Sequence, residues 1–71
     1  MIKEIVAQLK SVRIKNKVSM TELSEKTGVS QKHISNIENN KTKPTIETLE
    51  KLSKGLGLEI DLSLKGDDKT A

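Results

Sequence analysis

The stretch from Gln31 to Asn39 holds the groups with the most chemistry to offer. At about 100° per residue, Gln31, Lys32, Ser35, Asn36 and Asn39 would share one arc of a helix, while Ile34 and Ile37 would point the other way. That arc carries amides, a hydroxyl and an ammonium but no carboxylate, although ten of the 71 residues are acidic. A Gln or Asn amide can pair bidentately with adenine, and Lys can reach O6 and N7 of guanine. The arc therefore suits the reading of base edges in a major groove. Its alternative is a merely polar exposed helix, a face that would more often mix Glu with Lys.

A helix presenting such an arc has to be started, stopped and held from behind. Ser30 stands at the N-cap of a helix expected over 31–39, with Val29 and Ile34 at the spacing of a hydrophobic staple. Just upstream, Val18-Ser19-Met20-Thr21-Glu22-Leu23 carries two start signals for a helix over 20–27. Ser19 and Glu22 form a capping box, hydroxyl and carboxylate each serving an orphan backbone N–H, and Val18 and Leu23 form a staple. Gly28, free to adopt positive φ, ends that helix. Two short helices joined by a tight turn are the outline of a helix-turn-helix.

The flanking elements follow from periodicity. Ile2, Ile5, Val6, Leu9 and Val12 recur at helical spacing and predict a first helix over 2–16, ending near Asn16-Lys17, where Asn can cap. Pro44 closes the loop after the third helix and Thr45 caps a fourth, whose Ile46, Leu49 and Leu52 line one face. That helix ends at Gly55-Leu56-Gly57, and the two glycines read only as a helix stop. Then the period changes. In Leu58-Glu59-Ile60-Asp61-Leu62-Ser63-Leu64 the apolar residues fall at every second position, a strand pattern. A lone strand leaves its N–H and C=O groups unpaired, and the same strand of a second copy is its simplest partner. A short fifth helix is the alternative.

Composition bounds the rest. The chain has 71 residues, enough for one domain, and no Phe, Tyr or Trp, so its core is built from aliphatic side chains and methionine alone. Without cysteine there are no disulfides or thiolate metal sites, and one histidine, His33, excludes a two-histidine metal site within a chain. No cofactor is implied. No run approaches the ~20 apolar residues of a membrane span, so a cytoplasmic protein without membrane contact is expected. Residues 1–44 carry nine Lys/Arg against four Glu, whereas residues 45–71 carry four Lys against six Asp/Glu. Such asymmetry suits an electrostatic face for a polyanion. Asp67-Asp68 falls in a polar tail, and His33 reads as a surface or turn-packing residue with a phosphate contact as its alternative. An enzyme fits poorly, since no nucleophile with a base and no metal-ligand spacing is present.

Arg13, Ser19-Met20-Thr21-Glu22-Leu23-Ser24, Gly28-Val29-Ser30, Ile34-Ser35-Asn36-Ile37-Glu38-Asn39, Lys41, Lys43-Pro44 and Leu49-Glu50-Lys51-Leu52 together resemble the Cro/C1-type (Xre-like) helix-turn-helix pattern over residues 9–57. The resemblance implies a mainly α, lambda-repressor-like domain of four helices whose third helix enters the major groove. It makes Gln31, Lys32 and Asn36 the first candidates for base contacts, with Ser35 beside them. It also implies phosphate contacts from Ser19 and Met20 and from the loop Asn39, Asn40, Lys41, Thr42 and Lys43. Helix amino ends and small polar loops offer backbone N–H groups for that purpose. Met20 departs from the pattern, where Gln is usual, and only its backbone N–H could serve. Asn40 stands where Gly is common, and Asn tolerates the left-handed conformation. Arg13 and Glu38 are implied to form an internal salt bridge, a phosphate contact by Arg13 being the alternative.

These readings lead to a domain over 1–57, a dimerisation strand over 58–64 with Leu58, Ile60, Leu62 and Leu64 at the interface, and a flexible tail over 65–71. The expected function is a repressor that binds a palindromic double-stranded operator as a homodimer. The strand also resembles the carboxyl strand of HipB-like antitoxins, which implies an alternative: neutralisation of a HipA-type kinase toxin.

Overall fold

A computed structural model describes residues 2–58. Four helices follow one another: α1 (Ile2–Lys15), α2 (Met20–Thr27), α3 (Gln31–Glu38) and α4 (Ile46–Gly55). α2 packs on α3 and α4, and α1 closes the bundle against the same two helices. Val6 and Leu9 of α1, Leu23 of α2, Val29 of the turn, Ile34 and Ile37 of α3, and Leu49 and Leu52 of α4 are buried together as one core. Each such side chain contributes about 1.5–3 kcal/mol by leaving water, which is what a chain without aromatic residues has to work with.

Local chemistry fixes the ends of the helices. The hydroxyl oxygens of Ser19, Ser30 and Thr45 accept from the backbone N–H of Glu22 (3.0 Å), His33 (3.1 Å) and Thr48 (3.1 Å), which caps α2, α3 and α4. Only the hydroxyl half of the expected capping box is formed; no hydrogen bond runs from the Ser19 N–H to the Glu22 carboxylate. Gly28 takes φ 81° and its N–H donates to the carbonyl of Ser24 at 2.8 Å, ending α2.

Two expectations about side-chain placement need correction, and the helix end expected near Asn16-Lys17 takes a specific form. α1 stops at Lys15, and the left-handed residue beyond it is Lys17 (φ 59°), not Asn16. Val18 N–H reaches back to the Arg13 carbonyl (2.9 Å) and Lys17 N–H to that of Ile14 (3.0 Å). In that double closure the left-handed position falls two residues past the last helical one, and Lys occupies it. Ile46 does not line the inner face of α4: it is 59 % exposed. It is the first residue after the Thr45 cap, a turn short of the core, which α4 meets at Leu49, and Pro44 is buried at that edge instead. Ile2, likewise at the start of its helix, is exposed too.

Leu58 lies in no strand; its N–H donates to the Ser53 carbonyl (2.8 Å) and its side chain packs partly buried against the core. The remaining strand positions, Ile60, Leu62 and Leu64, and the tail over 65–71 lie outside the described residues. Among the described residues no helix is long and apolar enough to cross a membrane.

Candidate nucleic-acid interface

The candidate surface is the outer side of α3, and its geometry begins on the inner side. Ile34 and Ile37 are each 1 % exposed, so two consecutive turns of an eight-residue helix are anchored in the core. Beside them the Arg13 guanidinium grips Glu38 bidentately, Nε donating to Oε2 at 2.7 Å and Nη2 to Oε1 at 2.8 Å. Its Nη1 donates to the Val18 carbonyl at 2.8 Å. One guanidinium thus ties α1, the segment leading into α2, and the end of α3. The two side chains are only 11 % and 7 % exposed, and among the described residues no buried side-chain polar atom is left unpaired.

The hydrogen bonds to Glu38 push the Arg13 pKa above the ordinary arginine value, helped by the carboxylate's charge and opposed by desolvation. A raised cationic pKa stabilises the fold at every pH below the unfolded value and is lost only above it. For arginine that window lies beyond the pH range in which proteins are handled. The Arg13 guanidinium stays charged throughout that range.

With the inner side fixed, the outer arc is open to solvent. Gln31, Lys32 and Asn39 are exposed, and Ser35 and Asn36 are half-exposed. A hydrogen bond joins two of these side chains, Asn39 Nδ2 to Ser35 Oγ at a long 3.4 Å. No acidic side chain shares the arc; Glu38, the one carboxylate of α3, faces Arg13. His33 is exposed on the flank of α3, and a shallow recess of about 320 Å³ brings it together with Ser30, Lys32, Asn36 and Thr42. Spacing along the helix could not show that Thr42, eleven positions past Gln31, borders the same recess.

The two sets of phosphate candidates differ in what they can offer. At the start of α2, the Ser19 cap takes up the Glu22 N–H, and the helix geometry leaves those of Met20 and Thr21 without an intrahelical acceptor. The Met20 side chain packs partly buried against the core, so its backbone N–H is what remains for an anion. The loop after α3 is otherwise. Asn40 is left-handed (φ 60°), and the N–H groups of Asn39, Asn40 and Lys41 donate to the carbonyls of Ser35 (3.0 Å), Ile37 (3.0 Å) and Asn36 (2.8 Å). Those three backbone donors are spent on closing the helix. What the loop turns outward is then the backbone N–H of Thr42 and Lys43 and the exposed side chains of Asn39, Asn40, Lys41, Thr42 and Lys43.

Two residues that position α2 and α3 escaped the sequence reading. The Thr27 hydroxyl donates to the Leu23 carbonyl (2.8 Å) and accepts from the Val29 N–H (3.1 Å), bracing the turn around Gly28. Gly55 is more than a helix stop: a Cβ there would lie 2.5 Å from Thr27 Cγ2 and 3.0 Å from Leu23 Cδ1. α4 approaches α2 this closely because position 55 has no side chain. A β-branched Thr at the end of one helix and a Gly at the end of another were both visible in the sequence, but not their meeting.

The comparisons with known proteins agree with this architecture. The helix-turn-helix family profile matches residues 9–63. The chain is 38% identical over 64 residues to the HTH-type transcriptional regulator SinR of Bacillus licheniformis, covering 89% of this chain and 58% of that protein. It is 39% identical over 61 residues to the uncharacterized HTH-type transcriptional regulator y4dL of Sinorhizobium fredii, covering 86% and 31%. A match to the immunity repressor protein of Bacillus phage phi105 is 28% identical over 53 residues, covering 75% and 37%. No solved structure matches the chain. The chain belongs to the Cro/C1-type helix-turn-helix family, a family of DNA-binding transcriptional regulators. It spans less than two thirds of the length of each of these relatives.

Proposed function

We propose that this protein is a sequence-specific double-stranded DNA-binding regulator, acting as a repressor from a homodimer on a palindromic operator. The observation that carries the reading is the outer arc of α3: amide, hydroxyl and ammonium groups, free of carboxylates, on a helix whose opposite side is locked by Ile34, Ile37 and the Arg13–Glu38 pair. Gln31, Lys32, Ser35 and Asn36 read base edges. The N–H end of α2 at Ser19 and Met20 and the side chains of Asn39, Asn40, Lys41, Thr42 and Lys43 hold phosphates on either side. The three relatives support the regulatory sense, two being named transcriptional regulators and the third an immunity repressor.

In this reading residues 1–57 are the DNA-binding domain, 58–64 pair across the dimer through Leu58, Ile60, Leu62 and Leu64, and 65–71 form a tail. Two copies present their α3 helices to major grooves about 34 Å apart. The antitoxin alternative rests on residues 58–64 alone, of which Leu58 is described, and no observation favours it over the regulator. Selection of bound sites from random duplex DNA tests the proposal directly. Enrichment of an inverted repeat with half-sites one helical turn apart is the expected result; recovery of unselected sequence would overturn it.

A further inference from the structure

A cleft lies away from α3 and from the loop over 39–43. It is open, about 740 Å³, and sits where the carboxyl ends of α1, α2 and α4 converge. Lys26, Lys51 and Lys54 stand around it, Val18 and Leu56 give it apolar wall, and none of the described residues lining it is acidic. Each helix carboxyl end brings roughly half a unit of negative charge, so three ammonium groups exceed what the three ends neutralise. Lys51 also meets Glu47 at 3.7 Å, but both are well exposed and the pair is weak. A positive surplus with apolar footing is left over, and none of these residues belongs to the reading arc.

Charge and connectivity both indicate what covers it. Gly57 is part of the cleft wall, and Leu58 is pinned next to it by its bond to the Ser53 carbonyl. The chain then continues Glu59-Ile60-Asp61-Leu62, with two carboxylates within four residues of the wall, in a segment that holds four acids against two lysines over 59–71. A tethered group that near its site acts at high effective concentration and needs no partner to bring it there. We propose that the cleft bounded by Lys26, Lys51 and Lys54 is an electrostatic clasp for the chain's own acidic segment, with Glu59 and Asp61 as the groups held. The strand alternation keeps this compatible with a dimer. In an extended strand Leu58, Ile60, Leu62 and Leu64 would fall on one side and Glu59, Asp61 and Ser63 on the other, which would leave the acidic side to the lysines while the apolar side pairs. The inference does not depend on DNA binding.

The chain has no cysteine, so a single nitroxide can be placed on Ser63→Cys, and separately on Lys65→Cys as a check against local disturbance. In the full-length protein at low salt, the amide signals of Asn16, Lys26 and Lys54 should be strongly attenuated and should recover as salt is raised. Lys51→Glu with Lys54→Glu should abolish the attenuation, and adding Glu59→Lys with Asp61→Lys should restore it. No attenuation from either label, or attenuation indifferent to charge reversal, overturns the clasp. Attenuation seen only between chains, in mixtures of spin-labelled and isotope-labelled protein, also overturns it. So does an equal response of the cleft amides to inorganic phosphate in the native chain and in the Glu59→Lys/Asp61→Lys variant, since an occupied clasp must compete with free anions.

Discussion

The two sides of α3 are built on opposite terms. On the inner side every polar group is paired and every apolar one buried: Ile34 and Ile37 sit in the core and Glu38 is held by Arg13 at two points. On the outer side Gln31, Lys32 and Asn36 keep their donors and acceptors turned to water, and the Ser35–Asn39 contact is long. Stability is concentrated on one side of an eight-residue helix, and the recognition proposed for it falls on the other. Substitutions should therefore separate cleanly by side.

The largest expected effect is on the inner side. Glu38→Ala leaves the Arg13 guanidinium largely buried without its carboxylate and should cost about 3 kcal/mol, read as a lower urea midpoint by circular dichroism. In so small a domain that is a large part of the total stability. A loss below ~0.5 kcal/mol would mean that the pair is not holding α3 at all. Gly55→Ala comes next. The new methyl meets Thr27, whose hydroxyl cannot rotate away without giving up its bonds to Leu23 and Val29. Overpacking of this kind costs about 1–3 kcal/mol, visible as a drop in thermal midpoint, whereas a gain would show that the two helices part freely.

On the outer side the same assays should barely move. Gln31→Ala with Asn36→Ala should change stability by less than about 0.5 kcal/mol, yet abolish the preference for the selected operator over random duplex in a competition binding assay, since each lost bidentate contact is worth about 1–3 kcal/mol of discrimination. If preference survives, α3 is not the reader. The smallest effect belongs to Lys43→Ala, which should weaken binding to all sequences alike and lower the salt slope by about one. A sequence-dependent loss would move Lys43 from the phosphate set into the reading set.

Much of the scaffold could be read from the sequence because its signals are local. Ser19, Ser30 and Thr45 act within three residues of where they stand, and Gly28 ends α2 by its own backbone angle. The acid-free arc was legible for the same reason: one helix, one period. What escaped depended on neighbours distant in sequence. Apolar periodicity could not tell Leu49, which meets the core, from Ile46, which overshoots it. Lys17 is left-handed because the α1 ending puts the bend there, not because Lys prefers it. Gly55 announced a helix end, while its close approach to Thr27 is a property of two helices that lie 28 residues apart in the chain. The backbone donors of Asn39, Asn40 and Lys41 looked free until the closing of α3 claimed them.

The bond from Arg13 Nη1 to the Val18 carbonyl has one more implication. Val18 immediately precedes Ser19, so the guanidinium that steadies α3 also steadies the approach to the amino end of α2. Those two surfaces cannot drift apart by loosening one hinge, because the same planar group braces both. Under the proposed function a duplex engaging them would meet a gauge of fixed width, set when the chain folds, with little conformational freedom left to give up at the moment of contact.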